Sequence, residues 1–256
     1  MIRSFMLAAT AATLVSAQSF AADRPNVQYA KDTPAIPMAE WEVVQQGAAE
    51  QTGARVLIAH GPTELAKAPA NAAKYTSRAF RFATGDIRVL EFKKATGGVL
   101  HQVTTETALY VLKGSAIVNV AGTPTEVGEG DVVSMPSGVI RSKPGAAEDT
   151  TLVLHTVFGT PPDRKPAVVR AKDTPERVAS KPDAAKKSAG LALRRYAFDG
   201  NSIRVAWMDG PGATPANNHN TDSLIYIIGG PMTLTQGDES YTIDKGDALR
   251  EVAGLV

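Results

Sequence analysis

The sequence predicts an all-β chain built from two tandem copies of one module. Three observations carry this. First, Ile87-Arg88-Val89 recurs as Ile203-Arg204-Val205, and from there two copies align without a gap at an offset of 116 residues. Tyr110 falls on Tyr226, Gly114 on Gly230, Gly130-Asp131 on Gly246-Asp247 and Gly138 on Gly254. Second, short runs alternate apolar and polar residues with period two, the pattern of strands with one buried face. Third, Gly, Pro, Thr and Asn separate the runs, which suits a sandwich or barrel with tight turns. A residue kept in both copies is expected to serve the fold, and one that differs marks where a site can exist in one copy only.

Taken in order, residues 1–21 are expected to be a secretory signal peptide. Arg3 supplies the positive start, an apolar stretch runs from Phe5 to about Ala17, and Ser19-Phe20-Ala21 has the small-x-small pattern of a cleavage site. That stretch is too short for a spanning helix. Residues 22–77 read as an N-terminal arm containing one strand, Arg55-Val56-Leu57-Ile58-Ala59-His60. The first module, 78–158, carries runs at 87–92, 108–112, 116–120, 131–135 and 151–158. Residues 159–191 hold Pro161-Pro162, Pro166, Pro175 and Pro182 among Lys, Ala and Asp. They read as a linker with one short helical turn at 184–187. The second module, 192–256, begins its strands near Leu191.

The arm is duplicated as well. Ala30-Lys31-Asp32-Thr33-Pro34 recurs as Ala171-Lys172-Asp173-Thr174-Pro175 at an offset of 141, so the first copy holds 25 more residues between arm and strands. The second module stops two residues after Gly254, inside a motif that the first copy continues past. Its barrel is expected to lack its last strands and to expose edges. A truncated product, completion by a partner's strand and a degenerate packing unit are the three accounts. The first is favoured because the stop falls inside the motif.

Composition narrows the function classes. The 27 basic and 26 acidic residues leave a net charge of +1, and no basic stripe supports nucleic-acid binding. With no cysteine, disulfides, thiolate-held zinc and cysteine nucleophiles are excluded, and so is a lipidated cysteine after the signal. Beyond the leader no run of about 18 apolar residues occurs, so a soluble periplasmic or secreted product without membrane attachment is expected. No nucleophile elbow and no Gly-rich phosphate loop after a strand is present.

In the first copy, Gly130-Asp131-Val132-Val133-Ser134-Met135-Pro136-Ser137-Gly138 is a glycine, five residues, then Pro-x-Gly. Upstream, His101 precedes a run ending Tyr110-Val111-Leu112-Lys113-Gly114. Together these resemble the two motifs of the cupin superfamily, G-x5-H-x-H-x3-4-E-x6-G and G-x5-P-x-G-x2-H-x3-N. The resemblance covers about 78–158 and again 192–256. It implies two tandem double-stranded β-helix (jelly-roll) barrels, the C-terminal one incomplete, each with a pocket in its mouth.

The resemblance also implies a divalent metal held by three His and one Glu, with H-x-H placing two imidazoles on one inner wall. This sequence departs from that set. In the first copy His101 matches the first His. Val103 and Thr107 stand at the second His and the Glu, Glu106 is one residue early, and Arg141 stands at the last His. A guanidinium stays protonated and does not ligate metals. In the second copy Asn217 and Ser223 replace the first His and the Glu, His219 matches the second His, and Asp222 is one residue early. No metal cofactor is therefore expected. If Fe, Mn, Ni, Cu or Zn were held, the ligands would come from His101 with Glu106, or from His219 with Asp222.

The expected activity is non-redox proton transfer, of isomerase or lyase type, on a small anionic organic molecule in the first barrel. His101 is the acid or base, Thr107 orients the substrate, Arg141 clamps a carboxylate and Tyr110 lines the site. One alternative is a non-catalytic small-molecule-binding or structural cupin. Another is a metal-dependent lyase or dioxygenase with its site in the second barrel. His60 and His155 read as structural histidines, and Trp41 and Trp207 show no stacking partner. Pairing of two copies through exposed strand edges is expected.

Overall fold

The computed structural model describes residues 26–38, 75–94, 100–103, 106–120, 122–135, 138–157, 165–185, 187–198, 201–209, 213 and 222–253. The expected leader, the strand at 55–60, Trp41, His60, Asn217 and His219 lie outside the described residues. Two short strands, β1 (Val27–Gln28) and β2 (Ile36–Met38), precede the first copy. That copy contributes β3 (Tyr75–Arg81), β4 (Gly85–Phe92), β5 (Leu100–Val103), β6 (Thr107–Lys113), β7 (Ser115–Val120), β8 (Thr123–Gly128), β9 (Val132–Met135), β10 (Gly138–Ser142) and β11 (Thr150–Val157). β12 (Ala167–Val169), a 3₁₀ turn at Ala171–Asp173 and β13 (Arg177–Ser180) follow. The second copy contributes β14 (Gly190–Phe198), β15 (Asn201–Asp209), β16 (Ser223–Tyr226), β17 (Met232–Gln236), β18 (Glu239–Ile243) and β19 (Ala248–Glu251). No helix among the described residues is long and apolar enough to cross a membrane.

The chain forms two compact units, and neither coincides with one copy of the repeat. The larger gathers Pro34–Ala79 and Arg88–Asn217. Its core lies between a seven-stranded sheet, β12-β9-β6-β11-β4-β3-β2, and a four-stranded sheet, β5-β10-β7-β8. The period-two pattern explains this directly. Leu109 and Val111 of β6, Leu152 and Leu154 of β11, and Val133 and Met135 of β9 point to one face of the large sheet. Val103, Ala116, Val118, Val127 and Ile140 meet them from the small sheet. The two sheets remain separate ladders, packed face to face. β13-β14-β15 form a further sheet.

The smaller unit gathers Met1–Thr33, Phe80–Ile87 and Asn218–Val256. It holds a β1-β19-β16 sheet and a β17-β18 hairpin around Val27, Ile227, Ile243 and Leu249. In the first copy β6 lies between β9 and β11, and β7 between β10 and β8. Among the described residues their counterparts β16 and β17 have one neighbour each, β19 and β18. Counterparts of β10 and β11 would fall past Ala253, the last described residue.

Each duplicated arm docks among the strands of the other copy. β1 pairs with β19 (Val27 opposite Leu249, Gln28 opposite Ala248). β12 pairs with β9 in the same register (Val168 opposite Val133, Val169 opposite Val132). The Ala30 N–H donates to Asp247 Oδ1 at 2.8 Å, and the Ala171 N–H to Asp131 Oδ1 at 2.9 Å. The other oxygen of each carboxylate closes its own turn, accepting from Asp244 N–H at 2.8 Å and from Gly128 N–H at 3.0 Å.

The preceding glycines are needed twice over. Gly130 and Gly246 have φ of 82° and 93°, in the left-handed region. A Cβ on Gly130 would stand 2.9 Å from Ala171 Cβ, and one on Gly246 3.3 Å from Ala30 Cβ. The repeated Gly-Asp is thus the seat of the repeated arm.

Residues 159–191, expected as a linker, carry β12, the 3₁₀ turn and β13, because the arm finds strand partners there. In place of a helical turn, Asp183 and Ser188 bridge a tight reversal. The Asp183 carboxylate accepts the Ala185 N–H at 3.1 Å, and Lys187 adopts φ 51°.

Candidate functional site

The inner face of the first copy is almost entirely carbon. Leu109, Val111, Met135, Ile140 and Leu152 are 0% exposed and Val103 is 5% exposed. Polar groups enter at one end, where β6 begins. Thr107 is 1% exposed, and its Oγ1 lies 3.0 Å from Thr156 Oγ1, directly across the ladder. Strand alternation puts both on the face of Leu109 and Leu154. Glu106, just before β6, is 9% exposed. Its burial departs from the outward direction that alternation alone implies for a residue next to Thr107.

The structure separates several residues that sequence spacing had grouped. The β5–β10 register sets the His101 position opposite Ile140, two residues from Val103, and both of those neighbours are core residues. Arg141 pairs with Leu100 and is exposed, whereas Ile140 and Ser142 on either side of it are buried. It therefore faces away from the core and cannot clamp a ligand beside Thr107. Motif spacing places Arg141 at a ligand position, but ladder register gives the inner face to Ile140, and one residue flips the face.

Tyr110 also leaves the site. It alternates with the inward Leu109 and Val111, and it packs edge-on against Tyr196 at 6.3 Å between ring centroids. Burial, with Tyr196 alongside, raises its hydroxyl pKa. Tyr196 is fully buried and its hydroxyl donates to the Gly130 carbonyl at 2.7 Å. In the smaller unit the matching pair is Phe80 with Tyr226, at 6.2 Å.

The metal expectations meet the following residues. Asp222 accepts from Arg250 Nε at 2.7 Å and from the Ala253 N–H at 2.9 Å. Burial pushes its pKa up, but the Ala253 N–H and the Arg250 guanidinium outweigh that and hold it below the usual carboxylate range. Both oxygens are thus engaged in closing a turn. Val103 and Thr107 supply neither imidazole nor carboxylate. Among the described residues no group of three His, Asp or Glu side chains gathers, so these residues do not fit a family-type metal shell.

Three further features complete the site's setting. His155 lies across from Ala108, off the core face, and burial lowers its pKa to about 4, leaving it neutral. Trp207, without a partner visible in the sequence, lies under the Arg194 guanidinium at 5.7 Å. A recess of about 310 Å³ opens at the β6–β7 turn, lined by Gly114, Ser115, Lys143, Gly145 and Glu148 among others. Its charged groups are already paired, Lys143 with Glu126 and Glu148 with Lys113.

Sequence reasoning missed the roles of Asp131 and Asp247. The signal was present, since both the Gly-Asp pair and the arm motif recur. Burial pushes the Asp131 carboxyl up, but the N–H groups of Gly128 and Ala171 and the Arg170 guanidinium, at 2.7 Å, hold it below the usual range. Tyr29, the counterpart of Arg170, packs instead against the apolar cluster of its unit.

No family model matches the sequence, and no curated protein is similar to it in sequence. Solved structures are similar in fold. A putative glyoxylate-induced protein from Pseudomonas aeruginosa superposes with a TM-score of 0.53 at 13% identity, over 71% of this chain and 73% of that one. The Ylba protein from E. coli gives 0.50 at 16% identity, over 78% and 86%. AerE from Microcystis aeruginosa gives 0.52 at 10% identity, over 71% and 83%. With the duplicated all-β architecture, these likenesses show that the chain has the fold of the cupin superfamily in its two-module, bicupin form.

Proposed function

We propose that the protein is a non-catalytic, small-molecule-binding cupin that works without a metal, and that its ligand meets the first copy at the Glu106–Thr107–Thr156 end. One observation carries the reading. The inner positions where a cupin enzyme would need polar, convergent groups hold Val103, Met135 and Ile140, which are buried in carbon. A reactive pocket needs open volume and several placed polar groups. Arg141 and Tyr110 lie on outer faces and leave Thr107, Thr156 and Glu106 as the described polar set. The charge pattern of residues 1–21 supports action in the periplasm or outside the cell.

The test combines three measurements on the purified chain: metal content, a thermal-shift screen of small carboxylic acids and sugars, and a turnover assay on each hit. The expected result is far less than one metal per chain, together with a saturable shift that Thr107→Val abolishes and no turnover. Stoichiometric Fe, Mn, Ni, Cu or Zn that disappears in His101→Ala would overturn the reading, as would turnover of any hit.

A second reading keeps proton transfer of isomerase or lyase type, with His101 as acid or base. The β5–β10 register favours it by setting the His101 position opposite Ile140, beside the core. It predicts a turnover that falls with protonation near neutral pH and that His101→Ala removes while binding survives.

A further inference from the structure

We propose that the Gly-Asp turns at Gly130-Asp131 and Gly246-Asp247 are two copies of one docking site for an Ala-Lys-Asp-Thr arm, and that a second copy of this chain supplies that arm, giving a dimer with exchanged arms. The two sites match atom for atom at their centre. In each, one carboxylate oxygen takes the alanine N–H of an arm and the other closes the turn. In each, a left-handed glycine makes room for the alanine methyl. In each, the residues ahead of the alanine add a strand to the edge of the receiving sheet in the same register. The arms share five residues in a row, so either arm carries what either site reads.

The occupant follows from who serves whom. Neither arm docks on the strands of its own repeat copy. Two separate single modules would reach this arrangement only by trading arms, and exchange of an identical element is a low-cost route to a dimer. An arm from another chain makes the same contacts as the resident one, so exchange loses no contact and is governed by concentration. The site is strand addition to a sheet edge with a buried carboxylate as its specific reader.

The chain has no cysteine, which makes the test clean. Val27 and Leu249 are 8% and 1% exposed, so thiols placed there do not meet by collision while the arms stay docked. The Arg250 N–H bonds the Asn26 carbonyl at 2.8 Å, which makes Val27 and Leu249 the close, non-hydrogen-bonded pair of the ladder. Such pairs have Cα atoms roughly 4.5 Å apart, within disulfide range.

A full-length Val27→Cys chain and a full-length Leu249→Cys chain are unfolded together, refolded at high concentration, oxidised and run on a non-reducing gel. The expected product is a two-chain adduct. It is several-fold more abundant than the adduct of Val27→Cys with Val178→Cys, an exposed collision control, and it is lost when Asp247→Ala is added to the receiving chain. A Val27→Cys and Val133→Cys mixture is expected to cross-link too, since Val133 is the counterpart of Leu249. The double variant Val27→Cys/Leu249→Cys reports docking within one chain. Intrachain cross-linking without any interchain adduct would overturn the exchange. Failure of the double variant to cross-link would overturn the docking site itself, and an adduct no stronger than the collision control would overturn both.

Discussion

Matched positions in the two copies carry the same pattern and reach different burial. Leu109, Ala116 and Val118 of the first copy are 0% exposed, while Ile225, Met232 and Leu234 at the same repeat positions are only half-buried. Deeper in the sheets the copies agree again, with Val127 and Val133 matched by Ile243 and Leu249, all buried. The difference follows the neighbours. β10 covers β7 and β11 covers β6 in the first copy, and among the described residues no counterparts cover β17 and β16. Alternation makes a strand, but only the next strand seals its apolar face.

This contrast is open to direct attack. Leu109→Ala should cost about 2–5 kcal/mol, as removal of a sealed core side chain does. Ile225→Ala should cost roughly half of that or less, because its side chain already meets water. Urea unfolding followed by circular dichroism would compare them, and equal losses would show that β16 is as well covered as β6.

The arm sites should differ by a smaller amount. Asp131→Ala removes two N–H bonds and an Arg170 ion pair, whereas Asp247→Ala removes two N–H bonds only. Charge-assisted bonds contribute roughly 1.5–3 kcal/mol each at the upper end, so Asp131→Ala should be the costlier change. The pH dependence has a definite sign. The folded pKa of Asp131 is lowered, so its contribution is full above the unfolded value and is lost as pH falls through the folded value. Thermal melts of the wild type and Asp131→Asn should therefore converge as the solution is taken below pH 4, and parallel curves throughout would count against the carboxylate.

The smallest effect belongs to His155, which is only partly covered in surface area. With a folded pKa of about 4 against 6.5 for the model group, the unfolded chain takes up a proton first as pH falls. Stability should drop by roughly 1–2 kcal/mol between pH 6.5 and 4, discounting for partial solvation. His155→Gln should flatten that part of the profile, and an unchanged slope would assign it to other groups.

Several strands were legible from alternation alone. Runs at 87–92, 108–112, 116–120, 131–135 and 151–158 correspond to β4, β6, β7, β9 and β11 within a residue or two. β8 and β10 were missed because Thr123-Pro124-Thr125 and Gly138 read as turn residues, and their pairing with β7 overrides that preference. Of the candidate site, Thr107 is on the inner face as its motif position implied. Arg141 and Tyr110 are not, and the arm-seating role of Asp131 was hidden because its partner Ala171 is 40 residues away.

By itself the sequence determined the strand pattern, the duplication and the turn glycines, because alternation, repetition and left-handed turns are properties of neighbouring residues. Only the tertiary structure decided which face each strand buries and which copy receives each arm. A single-residue change of register turns every side chain over, so the face of Arg141 depends on β5 and not on its own motif. The arm's five residues are identical in both copies, so nothing within them says where they dock. That choice is made by the Gly-Asp turns and open sheet edges that the folded units present.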